Sequence, residues 1–401
     1  MYVEDTPQRA SQAQLALLRA HLPYSLPVLR RMQVAAGAFD GIHPAGKTGT
    51  GTSPYAHVLF AYDCDGPPSL LGGHHVPFAA VFLELDRAPE TAAWVYASDQ
   101  DQGVSPARPE DLYPADNDRP DQWVVDRGAQ LVAGWSPERR ARCRRLVLAL
   151  LRRARALART VASELAARQP ARFGTPTGAA ALVSTVKANL HDGIRYVLQH
   201  PGPSEQDGDR TAVLLVYHDA YDKWLFRVED VPVLSQPEAV EHPTGLLGTG
   251  GQGQPALLWD RVRTHDDAAL VISCTAIPRT VDTLLSVPSV ALREKSTSPG
   301  EPGALQAWAF VGIDGSLWTL HTQPAYRGRG LAKTLAARLF RQYCRLFDGI
   351  MDDDRHNDGW CAADVSASNR QSQGVCKRLG ARRAWSTAWI VITYDSLGDQ
   401  E

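Results

Sequence analysis

The segment from Thr319 to Leu335 leaves little freedom in how it folds. It reads Thr-Leu-His-Thr-Gln-Pro-Ala-Tyr-Arg-Gly-Arg-Gly-Leu-Ala-Lys-Thr-Leu. A β-forming run, Leu317–Gln323, enters a turn that holds Gly328 and Gly330. A helix pattern follows, with Leu331, Leu335 and Leu339 on one face. Glycine has no Cβ, so a ligand can approach this backbone closely. A helix start offers unsatisfied N–H groups and the positive end of the helix dipole. Arg327 and Arg329 add positive charge. Strand, glycine turn and helix together predict a cradle for a pyrophosphate.

The surrounding pattern predicts an α/β chain with a mixed sheet. From 256 to 401 we expect a strand at Leu257–Val262, helices at Asp266–Thr275 and Arg279–Ser286, and strands at Ser289–Leu292, Leu305–Gly312 and Leu317–Gln323. A helix at Gly330–Phe347, a strand at Gly359–Val365, a helix at Asn369–Leu379 and a strand at Ala384–Thr393 complete the order. The stretch 235–255, rich in Gly and Pro, reads as a linker, and 1–234 as an N-terminal domain. Within that domain, residues 12–35 read as one or two amphipathic helices interrupted at Pro23 and Pro27. Strands are expected at His57–Tyr62, Pro77–Leu85 and Ala93–Ala97. Two more, Thr211–Tyr217 and Lys223–Val228, should flank a turn.

Ser136-Pro137-Glu138 predicts a helix start, and Pro170 a stop. Val147, Leu150, Leu151, Ala154, Leu157, Val161 and Leu165 mark its buried face. Its nine arginines between 139 and 159 read as a solvated basic face, with an acidic partner or phosphates as the sharper alternative.

Charge and composition exclude several function classes. Lysine and arginine total 42 against 44 acidic residues, a net charge of −2, which argues against a dedicated nucleic-acid binder. No apolar run reaches the roughly 18 residues of a membrane span, and the N-terminus has no signal-peptide pattern, so a cytoplasmic protein is expected. The six cysteines form no CxxC pair and no zinc spacing, so no metal is expected.

Other motifs lack their structural context. Gly41–Thr48 spells a P-loop, but no strand precedes it and Gly49–Pro54 cannot open a helix. Gly248–Gly253 spells GxGxxG without a strand before it. His218–Asp222 fits HxxxD and reads better as a turn. Asp352–Asp358 lacks the alternating ligands and closing Glu of a calcium loop.

Arg327-Gly328-Arg329-Gly330-Leu331-Ala332 resembles the Arg/Gln-x-x-Gly-x-Gly/Ala signature of the GNAT superfamily of acyl-CoA N-acyltransferases. Asn369-Arg370-Gln371-Ser372, closing at Leu379-Gly380-Ala381, resembles the family's segment beside the pantetheine arm. Val290–Arg293, Ala307–Phe310 and Leu317–Arg327 resemble its glycine N-acyltransferase-like branch. Leu18–Pro23 and Ser25-Leu26 resemble, more weakly, that branch's N-terminal half. The resemblance implies a GNAT fold in the C-terminal half and a degenerate GNAT-like N-terminal half. It implies an acyl-CoA or acetyl-CoA donor and transfer to a primary amine of a small molecule, such as an amino acid, by direct attack on the thioester. Neither nucleic acid nor membrane enters this reading.

The resemblance also implies roles for single residues. Arg327, Gly328, Arg329, Gly330, Leu331 and Ala332 would hold the pyrophosphate, with Asn369 and Ser372 beside the pantetheine arm. Backbone N–H groups around Leu320–Thr322 would meet the thioester oxygen. The branch's catalytic Glu corresponds to Ser316, which is no base. The superfamily's proton-donating Tyr corresponds to Cys376, whose alternative is a packed apolar side chain. His321 and Asp364 remain as base candidates. These departures leave open an acyl-CoA-binding protein without turnover, or a non-amine acceptor.

Overall fold

The computed structural model describes residues 1–42, 53–67, 76–88, 90–101, 127–202, 212–232, 246–247, 257–296, 303–350 and 359–398. The P-loop-like letters beyond Ile42, the GxGxxG run, the Asp352–Asp358 cluster and most of the expected linker lie outside them.

The chain runs β1 (Tyr2–Pro7), α1 (Gln12–Ala20), α2 (Leu26–Ala35), β2 (Ala56–Tyr62), β3 (Phe78–Glu84), β4 (Ala93–Ala97), α3 (Pro137–Arg168), α4 (Pro170–Phe173), α5 (Pro176–Ser184), β5 (Thr185–His191), α6 (Asp192–Gln199) and β6 (Leu215–Arg227). It continues through β7 (Leu246–Leu247), β8 (Leu257–Asp260), α7 (His265–Ser273), α8 (Val281–Leu285), β9 (Ser289–Glu294), β10 (Leu305–Val311), β11 (Ser316–Thr322), α9 (Leu331–Tyr343), β12 (Trp360–Ser366), α10 (Arg370–Arg378) and β13 (Arg382–Thr393). No helix among the described residues is long and apolar enough to cross a membrane.

Two compact units result. The first comprises 1–36, 52–223 and 383–401; the second comprises 37–51 and 224–382. In the first, β1 to β4 form an antiparallel meander, β4 pairs with β5 in parallel, and β5 pairs antiparallel with β13. In the second, β8, β9, β10 and β11 form the meander and β11 pairs with β12 in parallel. Each unit therefore shares a common order, a strand, two helices, three meander strands, a helix, a parallel strand and a helix, with α4 and α5 added before β5 in the first and β7 ahead of β8 in the second.

The closing strands are exchanged. β13 follows α10 in the chain yet belongs to the first unit, and the last residues of β6, from Trp224, belong to the second. Burial explains this. Ala388, Ile390 and Ile392 of β13 join the apolar cluster formed by Val81, Val95, Leu190 and the inner face of α3. The division thus falls at 223/224 rather than in the Gly/Pro-rich stretch, and the C-terminal strand crosses back.

α3 follows its sequence closely. Ser136 caps it by accepting from the Arg139 N–H, and Pro137 sits at its first position. Val147, Leu150, Leu151, Ala154, Leu157 and Leu165 are buried, as the spacing predicts, while Val161 is half-buried against the same cluster. The solvated basic face needs correction. Arg144 is fully buried and donates to the Val197 and Leu198 carbonyls, and Arg152 donates to Leu397 O at 2.9 Å. Arg153 meets Asp5 and Arg142 meets Asp99. These guanidiniums satisfy carbonyls and carboxylates inside their own unit, which long flexible stems allow. A second correction concerns 211–228: β6 is one strand through His218–Asp222, with no turn.

Exchange makes β13 part of the first unit's core. Ile390→Ala is expected to destabilise that core by about 2–5 kcal/mol. Hydrogen exchange should show β5 losing protection while β9, β10 and β11 keep theirs.

Candidate functional site: a parted strand pair and a glycine turn

β11 and β12 share only two register positions, Ser316↔Ala362 and Leu317↔Ala363. Both strands run on beyond that point, so they part. On the other side, β10 pairs Trp308 with His321 and Phe310 with Trp318. Thr319 and Leu320 thus stand opposite the single residue Ala309, which makes a β-bulge. Thr319 takes φ +48°, unfavourable for a β-branched residue. The backbone at 319–320 is in register with neither neighbour.

The bulge also resets the alternation of side chains. Simple period-two counting groups His321 with Thr319. In the structure His321 shares the face of Trp318, Trp308 and Phe310, because its partner is Trp308. The His321 ring stacks on Trp308 with centroids 4.6 Å apart. Its Nε2 is buried and finds no partner among the described residues, as do the hydroxyls of Thr319 and Thr322. Burial, foremost, holds the imidazole below its usual pKa, while a Gln323 hydrogen bond opposes that shift. His321 is therefore neutral at pH 7. Asp364 is the first β12 residue past the paired positions. Cys361, Ala363 and Val365 face the cluster under α9 and α10, so Asp364 lies on the opposite face, that of His321.

The glycine turn follows β11 directly. Arg327, Gly328, Arg329 and Gly330 are exposed, Ala332 is half-buried, and Leu331 is buried at the root of α9. Gly328 and Gly330 have φ +77° and +78°, and a Cβ on either would meet nothing within 4 Å. They leave open space in front of α9, whose cap residue, Gly330, supplies no capping side chain. The first amides of α9 thus remain donors for an anion. Arg327 donates to Thr322 O and Arg329 to Ala325 O, which folds both stems back along the turn.

One anchor was not legible beforehand. The buried Tyr326 donates its hydroxyl to Glu294 Oε1 at 2.6 Å, and Gln306 Nε2 donates to the same oxygen at 2.9 Å. This bond fastens the turn to the end of β9. Burial and the carboxylate push the Tyr326 phenol up to about 12. Glu294 stands just past the Val290–Arg293 run, and nothing in the residue types there pairs it with Tyr326.

The remaining sequence-predicted residues fall elsewhere. Asn369 caps α10, its Oδ1 accepting from the Ser372 N–H at 3.0 Å, so these two come together as a helix start. Ser316 is buried at the paired end of β11, where its hydroxyl donates to Asp314 Oδ1 at 2.6 Å. Cys376 packs with Phe340, Cys344 and Leu379, and burial pushes its thiol up to about 12. This buries it among apolar side chains, in the cluster that also takes in Ala363 and Val365 of β12.

Comparison with known proteins decides the family. The family model described as the N-terminal domain of the acyl-CoA N-acyltransferase verG matches residues 2–224, more than half of the chain. The chain belongs to this acyl-CoA N-acyltransferase family. A second model, FR47-like protein, matches residues 297–390, and the resemblance to the GNAT superfamily read at Arg327–Ala332 stands. The first match ends where the second unit begins. Similar solved structures include a Drosophila protein at 13% identity and TM-score 0.48, over 97% of this chain and 99% of that one. A tandem GNAT protein from the clavulanic acid biosynthesis pathway is 13% identical with TM-score 0.36, over 98% of each chain. A GCN5-related N-acetyltransferase from Kribbella flavida is 12% identical with TM-score 0.31, over 54% of this chain and 68% of that one. No curated protein matches.

Two substitutions probe the turn. Gly330→Ala puts a left-handed strain of about 1–2 kcal/mol and a methyl group into the open space, and should weaken coenzyme A binding at least tenfold in calorimetry. Tyr326→Phe should weaken coenzyme A about tenfold, since a hydrogen bond to a carboxylate contributes roughly 1.5–3 kcal/mol. Binding of a pantetheine thioester, which has no pyrophosphate, should be unchanged. Cys376→Ala should leave turnover within about twofold, as expected of a buried thiol held protonated and packed as an apolar side chain.

Proposed function

We propose that the second unit transfers an acyl group from acyl-CoA to a primary amine of a small molecule. The observation that carries this is the parting of β11 and β12 immediately ahead of the glycine turn. It sets unregistered backbone, a neutral imidazole and an anion cradle along one short segment. The Gly328–Gly330 turn and the first amides of α9 fit a pyrophosphate, with Arg327 and Arg329 adding charge. Coenzyme A supplies, as its thioester, an activated acyl group.

The chain's own residues then do the following. The backbone N–H groups around Leu320–Thr322 donate to the carbonyl oxygen as negative charge gathers there. Their direction is fixed by the bulge before any ligand arrives, so no reorganisation is needed during the reaction. His321 Nε2 accepts a proton from the amine as nitrogen attacks the carbonyl carbon and the carbon–sulfur bond breaks. The imidazolium returns that proton to the leaving sulfur. A group of depressed pKa serves both steps at neutral pH, because it is neutral before attack and a willing acid after it. Asp364, on the same face, supplies negative charge that stabilises the positive charge gathering on the nitrogen of the neutral amine as it attacks.

The near-neutral net charge supports a small acceptor over a basic protein tail, which an acidic groove would serve better. Two features support transfer over mere binding. His321 is neutral, and its Nε2 has no partner among the described residues.

Thiol release from acetyl-CoA and longer acyl-CoAs, measured against a panel of small amines, tests the reading. His321→Gln should lower kcat by roughly 10²-fold or more. In the parent protein kcat/KM should fall on acidification through a pKa below 6.5 and be flat from pH 7 to 8, since protonation removes the base. That acidic limb should vanish in His321→Gln. Coenzyme A binding without thiol release for any amine would instead favour a binding protein.

A further inference from the structure

The first unit has its own parted strand pair. β4 and β5 share only Ala93↔Ala188 and Trp94↔Asn189, although β4 runs on to Ala97 and β5 to His191. In open α/β sheets, ligands bind outside the carboxyl ends of the strands. Two buried polar atoms without a partner among the described residues lie at these carboxyl ends: Asp101 Oδ1 after β4, and His191 Nε2 at the end of β5. Buried polar groups in native proteins are satisfied in the great majority of cases, so each orphan calls for an explanation.

Both groups are held in a fixed orientation. Asp101 Oδ2 accepts from the Tyr96 hydroxyl at 2.7 Å and lies 2.6 Å from His21 Nδ1. One oxygen is thus pinned by two partners while the other is left over. Arg139, whose charge also reaches Asp101, is engaged by Asp99 and by the Trp135 ring. His191 accepts the Gly193 N–H on Nδ1 at 3.1 Å, which caps α6. That assigns the proton to Nε2 and makes it a donor. Burial holds the ring's pKa down at about 3, so it stays neutral.

The two groups border one aromatic pair. Tyr24 and Trp385 stack with centroids 5.1 Å apart; the His191 ring lies 6.2 Å from Trp385, and the Asp101 charge acts on Tyr24. All of these residues belong to the first unit.

We propose that the first unit carries a separate ligand site at this parting, for a small molecule with a protonated amine and a hydrogen-bond-accepting oxygen. The amine answers the free oxygen of Asp101, the oxygen answers the His191 Nε2–H, and Tyr24 and Trp385 form the wall between them. A carboxylate bonds most strongly to a charged N–H donor, and aromatic rings tolerate a cation beside them. No bond is made or broken here; the site selects and holds. It does not rest on acyl transfer in the second unit.

The test is calorimetry and saturation-transfer NMR on the full chain, with ethanolamine and tyramine as probes and 4-ethylphenol as the control without an amine. Binding of at least one amine but not of 4-ethylphenol is expected. Asp101→Asn should weaken it at least tenfold. His191→Asn should do likewise, because asparagine still caps α6 but has no ring donor. Asp364→Asn and Gly330→Ala should leave it unchanged. No binding of either amine overturns the proposal, as does binding that survives Asp101→Asn and His191→Asn. Loss only in Asp364→Asn also overturns it, and places the amine in the second unit. A coenzyme A titration of the same protein reports independently on the second unit.

Discussion

Two parallel strands that stop pairing after two residues are the constraint around which the candidate site is built. Ladder hydrogen bonds normally fill the space between strands. Where β11 and β12 part, the ladder ends, and the His321 Nε2 and the Thr319 and Thr322 hydroxyls are buried without a partner among the described residues. The bulge at Thr319–Leu320 keeps that opening from closing on the other side, since it breaks register with β10 as well. Thr319 accepts an unfavourable backbone angle, and the surrounding ladder on both flanks holds it there. The glycine turn, the tyrosine anchor and the helix start are arranged around that fixed opening.

Much of this was legible in the sequence, for identifiable reasons. A glycine pair that needs positive φ in front of an amphipathic helix is written in residue types, so Arg327–Ala332 could be read directly. The α3 face was equally plain, because a long helix repeats its period many times. The bulge was not legible. Threonine and leucine are ordinary strand residues, and nothing in Thr319-Leu320 announces an extra residue, so alternation put His321 on the wrong partners. Cys376 was ambiguous for another reason: a thiol is both a chemical group and a small apolar one, and only its neighbours decide. Arginine on a helix misled in the same way, because a guanidinium with a long stem can serve carbonyls inside a unit as readily as water outside.

The shared element order gives the chain two parted strand pairs, with different residues around each. In the second unit a glycine turn follows the opening, and a histidine of depressed pKa stands in it. In the first, α3 begins with a serine cap and proline instead of glycines, and its early arginines are tied to acids and carbonyls. The same backbone solution is thus retained where the glycine turn is not. That division fits a fold whose opening is set by strand register and whose ligand is chosen by side chains.

The exchanged strands have a consequence for heredity and for proteolysis. Each unit closes its sheet with a strand encoded in the other half of the chain. A gene that lost either half would leave the survivor with an open edge and an exposed apolar core face, so neither copy can be discarded even if its chemistry decays. A single nick in the stretch joining β6 to β8 would leave two fragments, each holding a piece of both cores. Such a nicked protein would migrate as two chains in denaturant and as one particle without it.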